Sequence, residues 1–295
     1  MDHGSILNPE RLGVAIEPIS ACDLRVGVVS YLNTKPLVFG LQSLAPSLRI
    51  RVAPPAALAE ELRDGQLDVA LVPVLEYFSR PDYGLIAESA ICGDGRVRSV
   101  MLFSRVPLEN VRSVSLDPES LTTNALVRVL FDRRFRIEPE WRERPPQSDP
   151  SVILERNEAD AVVVIGNLAL AMSGRIGHEY DLGQEWWHLT GLPFVFAVWA
   201  VNAGADIGDL PQALRASLRL GLAHLDLIAE DAARTLGLDP GLCGRYLRAM
   251  IRYELTPRAW QGMARFFALC ASMGLCRSTP PRDLARWVGK NSYEL

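Results

Sequence analysis

The sequence predicts a mixed α/β fold of two lobes with a similar plan, and a helical C-terminal segment packed on the first lobe. An apolar run, a polar turn and an amphipathic stretch occur twice, at 24–44 and at 111–133. Each unit is followed by an aspartate that opens a second apolar run, Asp68 in the first and Asp160 in the second. The plainer interpretation stays open, because every α/β protein repeats strand–turn–helix units. The matched Asp–apolar segments favour two lobes around a cleft for a small polar molecule.

The first lobe is predicted to begin with a buried parallel strand over 24–29, because this run is rich in Val and bounded by polar residues. Pro36 suits the first turn of a helix that runs to about residue 44, since its missing N–H costs nothing there. The elements that follow are a strand over 48–52, a helix over 56–63 stopped by Gly65, a strand over 69–72, and a hairpin of strands 85–92 and 99–103 around Gly93–Gly95.

The second lobe is predicted to begin with a strand over 111–116 and a helix over 123–133, and a long strand over 194–201 returns the chain to the first lobe. The rest reads as helices with apolar residues three and four apart, at 211–227, 229–236, 240–251, 257–273 and 281–288. The predicted division is 23–105 plus 199–295 for lobe one, 106–198 for lobe two, and an N-terminal extension over 1–22 of open role.

Composition excludes several classes of function. The net charge is −4 without a basic stripe, so nucleic-acid binding is not expected. The most apolar stretches, 162–172 and 192–201, are about half of the ~20 residues that span a bilayer, so no membrane segment is expected. Residues 1–22 lack the apolar core of a secretory signal, which predicts a cytoplasmic protein. Five scattered Cys and four His without ligand spacing predict no metal and no cofactor, and the oligomeric state is left open.

The ligand is expected beyond the carboxyl ends of the strands, in the loops 30–36, 73–77, 115–124 and 165–168. These loops contain no Gly-rich phosphate loop and no nucleophile elbow, and they carry no Cys–His pair. They offer neutral hydrogen-bonding groups at helix N-termini, where spare N–H donors and the helix dipole suit carboxylates. The alternative for these residues is ordinary helix capping. They are Ser30, Asn33, Thr34, Ser120, Thr122, Thr123 and Asn167.

The same segments resemble the chorismate dehydratases, the first enzymes of the futalosine route to menaquinone. The resemblance runs in order over residues 25–200, and its most specific part is the Tyr-Leu-Asn-x-x-Pro turn at 31–36. The other matching segments are DVALVPVLEYF, RSVMLFS, SLDPESLTTNALVRVLF, ADAVVVIGNLAL and LTGLPFVFAVW. The resemblance implies a fold like the type 2 periplasmic binding proteins. It also implies conversion of chorismate, a dianion, to 3-[(1-carboxyvinyl)oxy]benzoate and water by a carbon–oxygen lyase.

The resemblance also implies roles for individual residues. Asn33 matches the active-site asparagine of the family, and Ser99 matches a serine placed on the ligand. An amide is a poor proton acceptor, so our hypothesis is that Asn33 orients the substrate and that a substrate carboxylate takes the proton. The remaining substrate-binding residues are expected to be Ser30, Tyr31, Ser120, Thr122, Thr123 and Asn167, although the position of Asn167 is usually acidic in the family.

Two other functions remain open at this stage. The first is a cytoplasmic protein that binds or senses a small anion on the same scaffold, because a fold alone does not decide function. The second is the sister enzyme, 1,4-dihydroxy-6-naphthoate synthase, which shares the fold and uses a histidine base. The predicted cleft loops contain no histidine, which favours the dehydratase.

Overall fold

The computed structural model describes residues 18–19 and 23–291 of the 295-residue chain. It is a mixed α/β protein with two separate β-sheets and helices packed against both. This confirms the predicted fold class. The predicted N-terminal extension over 1–22 lies outside the described residues, except for residues 18 and 19.

The strands are short and mostly buried, as expected for parallel strands covered by helices on both faces. In chain order they are β1 (Arg25–Val28), β2 (Arg49–Val52), β3 (Val69–Pro73), β4 (Gly84–Gly93), β5 (Val100–Ser104), β6 (Ser113–Ser115), β7 (Glu140–Arg142), β8 (Ala161–Ile165), β9 (His178–Asp181), β10 (Phe194–Val201) and β11 (Ile251–Arg252).

The helices pack against both sheets, and two of them continue into a π-helical turn. They are α1 (Leu41–Leu44), α2 (Pro55–Arg63), α3 (Val74–Ser79), α4 (Leu121–Leu130), α5 (Pro150–Glu155), α6 (Gly166–Met172), α7 (Leu182–Thr190), α8 (Leu210–Ala223), α9 (Leu225–Leu236), α10 (Pro240–Arg245), α11 (Pro257–Ser272) and α12 (Arg282–Lys290). The π-helical turns are Phe131–Phe135 after α4 and Tyr246–Met250 after α10.

The two sheets repeat one strand order. Read from the edge strand β2, the first sheet runs β2-β1-β3-β10-β4-β11. Read from the edge strand β7, the second sheet runs β7-β6-β8-β5-β9. In each sheet the first three strands of this order pair in parallel. The fourth strand, β10 in the first sheet and β5 in the second, pairs antiparallel with the third. The internal repeat that the sequence predicts is therefore present in the strand topology.

The paired aspartates occupy equivalent positions in the two sheets. Asp68 precedes β3 and accepts a hydrogen bond from the N–H of Arg25, at the start of the neighbouring β1, at 2.8 Å. Asp160 precedes β8 and accepts from the N–H groups of Arg112 and Ser113, at the start of the neighbouring β6, at 2.9 and 3.1 Å. Each carboxylate thus satisfies N–H groups that the parallel pairing leaves free.

The predicted hairpin around Gly93–Gly95 is wrong. Strand β4 lies in the first sheet, whereas β5 lies in the second sheet between β8 and β9. Alternating apolar residues on both sides of a Gly-rich turn look the same whether the chain folds back or crosses to another sheet. The predicted lobe boundaries at 105 and 198 remain a prediction. The strand pairing favours segments 94–99 and 182–193 as the places where the chain passes from one sheet to the other.

The first predicted helix is also different. Residues Leu32–Leu37 form a 3₁₀ helix, and the chain then turns at Gly40, with φ of 74°, before α1. The elements around the second sheet that were not predicted are β7, β9, α6 and α7. His178–Asp181, for example, shows neither a period of two nor an apolar run. Strand β10 has the predicted bounds and does return to the first sheet.

The C-terminal helices pack on the first sheet and the turn that follows β1. The Ser217 hydroxyl on α8 donates to the backbone oxygens of Leu37 and Phe39, at 2.9 and 3.0 Å. The aromatic residues Phe266 and Phe267 on α11 are 1% and 2% exposed and belong to the core. The C-terminal segment therefore stabilises the 3₁₀ turn that follows β1. Among the described residues, no helix is both long and apolar enough to cross a membrane.

Candidate active site

A pocket lies between the two sheets, where the carboxyl ends of their parallel strands face each other. About 590 Å³ of space between the protein atoms belongs to it, part of which is open to solvent. Its wall combines residues from both sheets: Val29, Tyr31, Asn33, Thr34, Pro55, Leu71, Pro73, Ile91, Ser99, Val100, Ser120, Thr122, Thr123, Ile165, Gly166, Phe196 and Ala197. No charged side chain of the described residues is in this wall.

Asn33 and Thr34 enter the wall from the 3₁₀ turn that follows β1. Both are buried, at 9% and 1% exposure. Asn33 Oδ1 and Thr34 Oγ1 have no hydrogen-bond partner within the described part of the chain. Buried polar atoms are nearly always paired, because an unpaired one costs about 1–3 kcal/mol. Two unpaired atoms side by side in a pocket wall therefore indicate a place for a polar ligand.

The second sheet contributes the N-terminus of α4. Ser120 is the N-cap residue and accepts from the Thr123 N–H at 3.3 Å, and its hydroxyl donates to Thr123 Oγ1 at 2.7 Å. Thr122 Oγ1 accepts from the Leu75 N–H on α3 at 3.1 Å. Capping and pocket lining, which the sequence left as alternatives, thus occur together. The positive end of the α4 dipole adds an attraction for anions.

Ser99 immediately precedes β5 and is 2% exposed. Its hydroxyl accepts a hydrogen bond from the Tyr246 hydroxyl at 2.8 Å, and its backbone oxygen accepts from the Gly166 N–H at 2.7 Å. Sequence reasoning missed Tyr246, because it falls within a helical pattern that indicates only packing.

Tyr31 closes the pocket on one side. Its hydroxyl donates to Glu119 Oε2 at 3.1 Å, and its ring lies against Gly166, where an added Cβ would be 3.0 Å from ring atoms. Gly166 has φ of 65°, which suits glycine. Burial, together with the Glu119 carboxylate, raises the pKa of Tyr31 well above its usual value. The phenol therefore stays protonated and acts as a donor.

Two of the predicted site residues do not line the pocket. Ser30 is exposed and is not part of the wall. Asn167 lies on α6, and its Oδ1 accepts from the Leu32 N–H at 3.0 Å. Asn167 thus joins the second sheet to the turn that carries Asn33. The predicted contact of Asn167 with substrate stays a prediction.

An ion pair lies behind the loop that follows β6. Arg144 Nη2 is 3.0 Å from Asp117 Oδ2, and both side chains are less than one-tenth exposed. Burial raises the pKa of Asp117, and the Arg144 guanidinium acts in the opposite direction. Asp117 Oδ1 also accepts from the Glu119 N–H at 3.0 Å, so the pair fixes the loop that carries the partner of Tyr31.

The apolar part of the wall was not identified from sequence as part of the site. It includes Ile91 and Phe196, which come from neighbouring strands β4 and β10 of the first sheet, and Ile165 at the end of β8. Such residues look like ordinary core. Among the described residues no group of three His, Cys, Asp or Glu is arranged to hold a metal ion.

Comparisons with known proteins show which family the chain resembles. Residues 24–272 match the family model described as menaquinone biosynthesis. A chorismate dehydratase of Thermus thermophilus is 33% identical over 261 residues, covering 82% of this chain and 93% of that protein. A chorismate dehydratase of Campylobacter jejuni is 25% identical over 256 residues, covering 84% and 98%.

Solved structures are similar in fold. A protein of Archaeoglobus fulgidus superposes with a TM-score of 0.71 at 15% identity, covering 85% of this chain and 98% of that one. The alkanesulfonate-binding protein of Xanthomonas axonopodis superposes with a TM-score of 0.68 at 16% identity, covering 91% and 98%. These likenesses confirm the periplasmic-binding-protein-like fold, and with the family match they show that the chain belongs to the menaquinone biosynthesis family.

Proposed function

We propose that the protein is a chorismate dehydratase, an enzyme of the carbon–oxygen lyase class that converts chorismate to 3-[(1-carboxyvinyl)oxy]benzoate and water. The observation that carries the proposal is the unpaired Oδ1 of Asn33, buried in a pocket wall that faces the N-terminus of α4. Two relatives named chorismate dehydratase, each matching over more than four-fifths of this chain, support it.

Neutral groups would bind the two carboxylates of chorismate. We assign one carboxylate to Ser120, Thr122 and Thr123 at the start of α4, where hydroxyl groups and the helix dipole favour negative charge. Ser99 and Thr34 supply further hydroxyl groups on the same pocket. The apolar residues between these groups suit the carbon ring and exclude water, which strengthens each polar contact.

The reaction removes the proton on C3 and the hydroxyl on C4 of the ring. The electrons of the C3–H bond form the new π bond as the C4–O bond breaks, and the proton and the hydroxide leave as water. Asn33 Oδ1, which lacks a donor in the structure, would accept from the C4 hydroxyl and orient it. A substrate carboxylate would take the C3 proton and pass it to the departing C4 oxygen, so that water leaves and the carboxylate is regenerated. Because aromatisation drives the step, positioning supplies most of the catalysis.

Incubation of the purified protein with chorismate tests the proposal. We expect loss of chorismate and stoichiometric appearance of the aromatic product. Both are measured by chromatography with detection of the ultraviolet absorbance. Chorismate that binds but stays unchanged over hours would contradict the dehydratase and favour a binding or sensing protein. If the protein neither binds nor converts chorismate, both the dehydratase and the chorismate-binding function are rejected.

The sister synthase has less support, because its histidine base has no counterpart in the pocket. Among the described residues none of the histidines lines the wall.

A further inference from the structure

Tyr246 lies behind the pocket and belongs to the C-terminal segment. It is 1% exposed and opens the π-helical turn that links α10 to β11. A π-helical turn inside a helix is rare and occurs often at functional sites. Strand β11 pairs with the end of β4 at Cys92 and Gly93, so the turn is held against the first sheet next to the crossing that leads to Ser99.

The hydrogen bond from Tyr246 determines how Ser99 can act. A serine hydroxyl has one proton to donate and two lone pairs to accept. Ser99 Oγ already accepts from Tyr246 at 2.8 Å, and its side chain has no other hydrogen bond within the described residues. The Ser99 proton is therefore left to be donated, and Ser99 lines the pocket.

Asn33 lines the same pocket as Ser99, and its Oδ1 has no hydrogen-bond partner among the described residues. Burial raises the pKa of the Tyr246 phenol, while hydrogen bonding with Ser99 and with Asn33 acts in the opposite direction. The pocket thus offers a ligand the proton of Ser99 and the amide oxygen of Asn33.

We propose that Tyr246 is a positioning residue of the active site, which holds Ser99 as a hydrogen-bond donor toward the substrate. This inference rests on the proposed dehydratase function. It gives the C-terminal segment a part in the chemistry, through a residue that is absent from the pocket wall itself.

Tyr246→Phe tests the proposal, because it removes the hydroxyl and keeps the ring. We expect kcat to fall at least tenfold while KM changes less than threefold. Tyr253→Phe is the matched control, since Tyr253 is also buried and its hydroxyl has no partner among the described residues. Its kcat should stay within twofold of the unsubstituted protein. Equal kcat values for Tyr246→Phe and Tyr253→Phe would overturn the proposal.

A double-mutant cycle separates positioning from general stability. If Tyr246 acts partly through Ser99, the loss of kcat in Tyr246→Phe/Ser99→Ala is at least threefold smaller than the product of the two single losses. A loss of kcat in the double variant equal to the product of the two single losses would overturn the proposal. An unsubstituted protein that leaves chorismate unchanged would instead reject the proposed function, so the two failures are distinct.

If Tyr246→Phe melts below the assay temperature, a measurement on the unsubstituted protein takes its place. Tyrosine labelled with ¹³C at Cζ gives one resonance per phenol, and the resonance that shifts in Ser99→Ala belongs to Tyr246. We expect the same resonance to shift when 3-[(1-carboxyvinyl)oxy]benzoate is added. Absence of any tyrosine resonance that responds to both changes would overturn the proposal.

Discussion

The Tyr31 hydroxyl donates to Glu119 at 3.1 Å, and this bond joins the loop after β1 to the loop after β6. Three other hydrogen bonds also connect the side of the first sheet with that of the second, and all lie around the pocket. They run from Leu32 N to Asn167, from Leu75 N to Thr122 and from Tyr246 to Ser99. These four hydrogen bonds therefore connect the two sides of the pocket.

Removing the bond between Tyr31 and Glu119 should weaken ligand binding. A hydrogen bond of this kind contributes about 1 kcal/mol, so Tyr31→Phe should raise the dissociation constant of the product about fivefold, measured by calorimetry. Glu119→Gln keeps an acceptor oxygen and should change the dissociation constant of the product less than twofold. Equal affinity for Tyr31→Phe and the unsubstituted protein would show that this bond does not hold the pocket closed.

Gly166→Ala should impair both stability and binding. At φ of 65° a Cβ is strained, and it would lie 3.0 Å from the Tyr31 ring. Gly174→Ala is the control, because Gly174 has φ of 85° with nothing within 4 Å of an added Cβ. Both variants should lose about 1 kcal/mol of unfolding free energy in urea. Only Gly166→Ala should also bind product more weakly, and equal binding by the two variants would contradict the proposed contact.

Thr122→Val should lower stability because it leaves the Leu75 N–H without its acceptor. A buried unpaired donor costs about 1–3 kcal/mol, to be measured by urea unfolding. Thr122→Ser keeps the hydroxyl and should recover most of this loss. If the Val and Ser variants unfold at the same urea concentration, the bond across the pocket contributes nothing to the folded state.

Asp68 should contribute a stability that depends on pH. The hydrogen bond from the Arg25 side chain lowers the pKa of Asp68 below its usual value. A group with a lowered folded-state pKa adds stability that is fully present above its unfolded pKa of about 4 and is lost as the pH falls through the folded value. Unfolding by urea between pH 2.5 and 7 should therefore show a smaller acid-induced loss in Asp68→Asn. An unchanged pH profile would contradict this.

The repeated plan was predictable from sequence because it depends on local patterns. Asp68 and Asp160 each precede a run of buried residues, and both occupy the same position in the strand pairing. Asn33 was predictable because it stands in a specific turn, and the structure places it in the pocket wall.

Other features depend on contacts between distant parts of the chain. The sequence around Gly93 cannot tell a hairpin from a crossing between sheets, since the next partner of β5 is β8, some sixty residues later. Tyr246 meets Ser99 across 147 positions of sequence. Ser30 was misplaced because a neutral residue at a strand end can face the pocket or the solvent, and only packing decides which.

The measurement that tests the central claim most directly is the turnover of chorismate by Asn33→Ala. The variant should fold with an unchanged melting temperature within a few degrees, since Asn33 Oδ1 has no partner to lose. Its kcat should fall at least 100-fold, about the effect of removing one well-placed polar group from an active site. The exposed Asn110→Ala serves as a control and should keep full activity. A folded Asn33→Ala protein with a kcat within threefold of the unsubstituted enzyme would contradict the account.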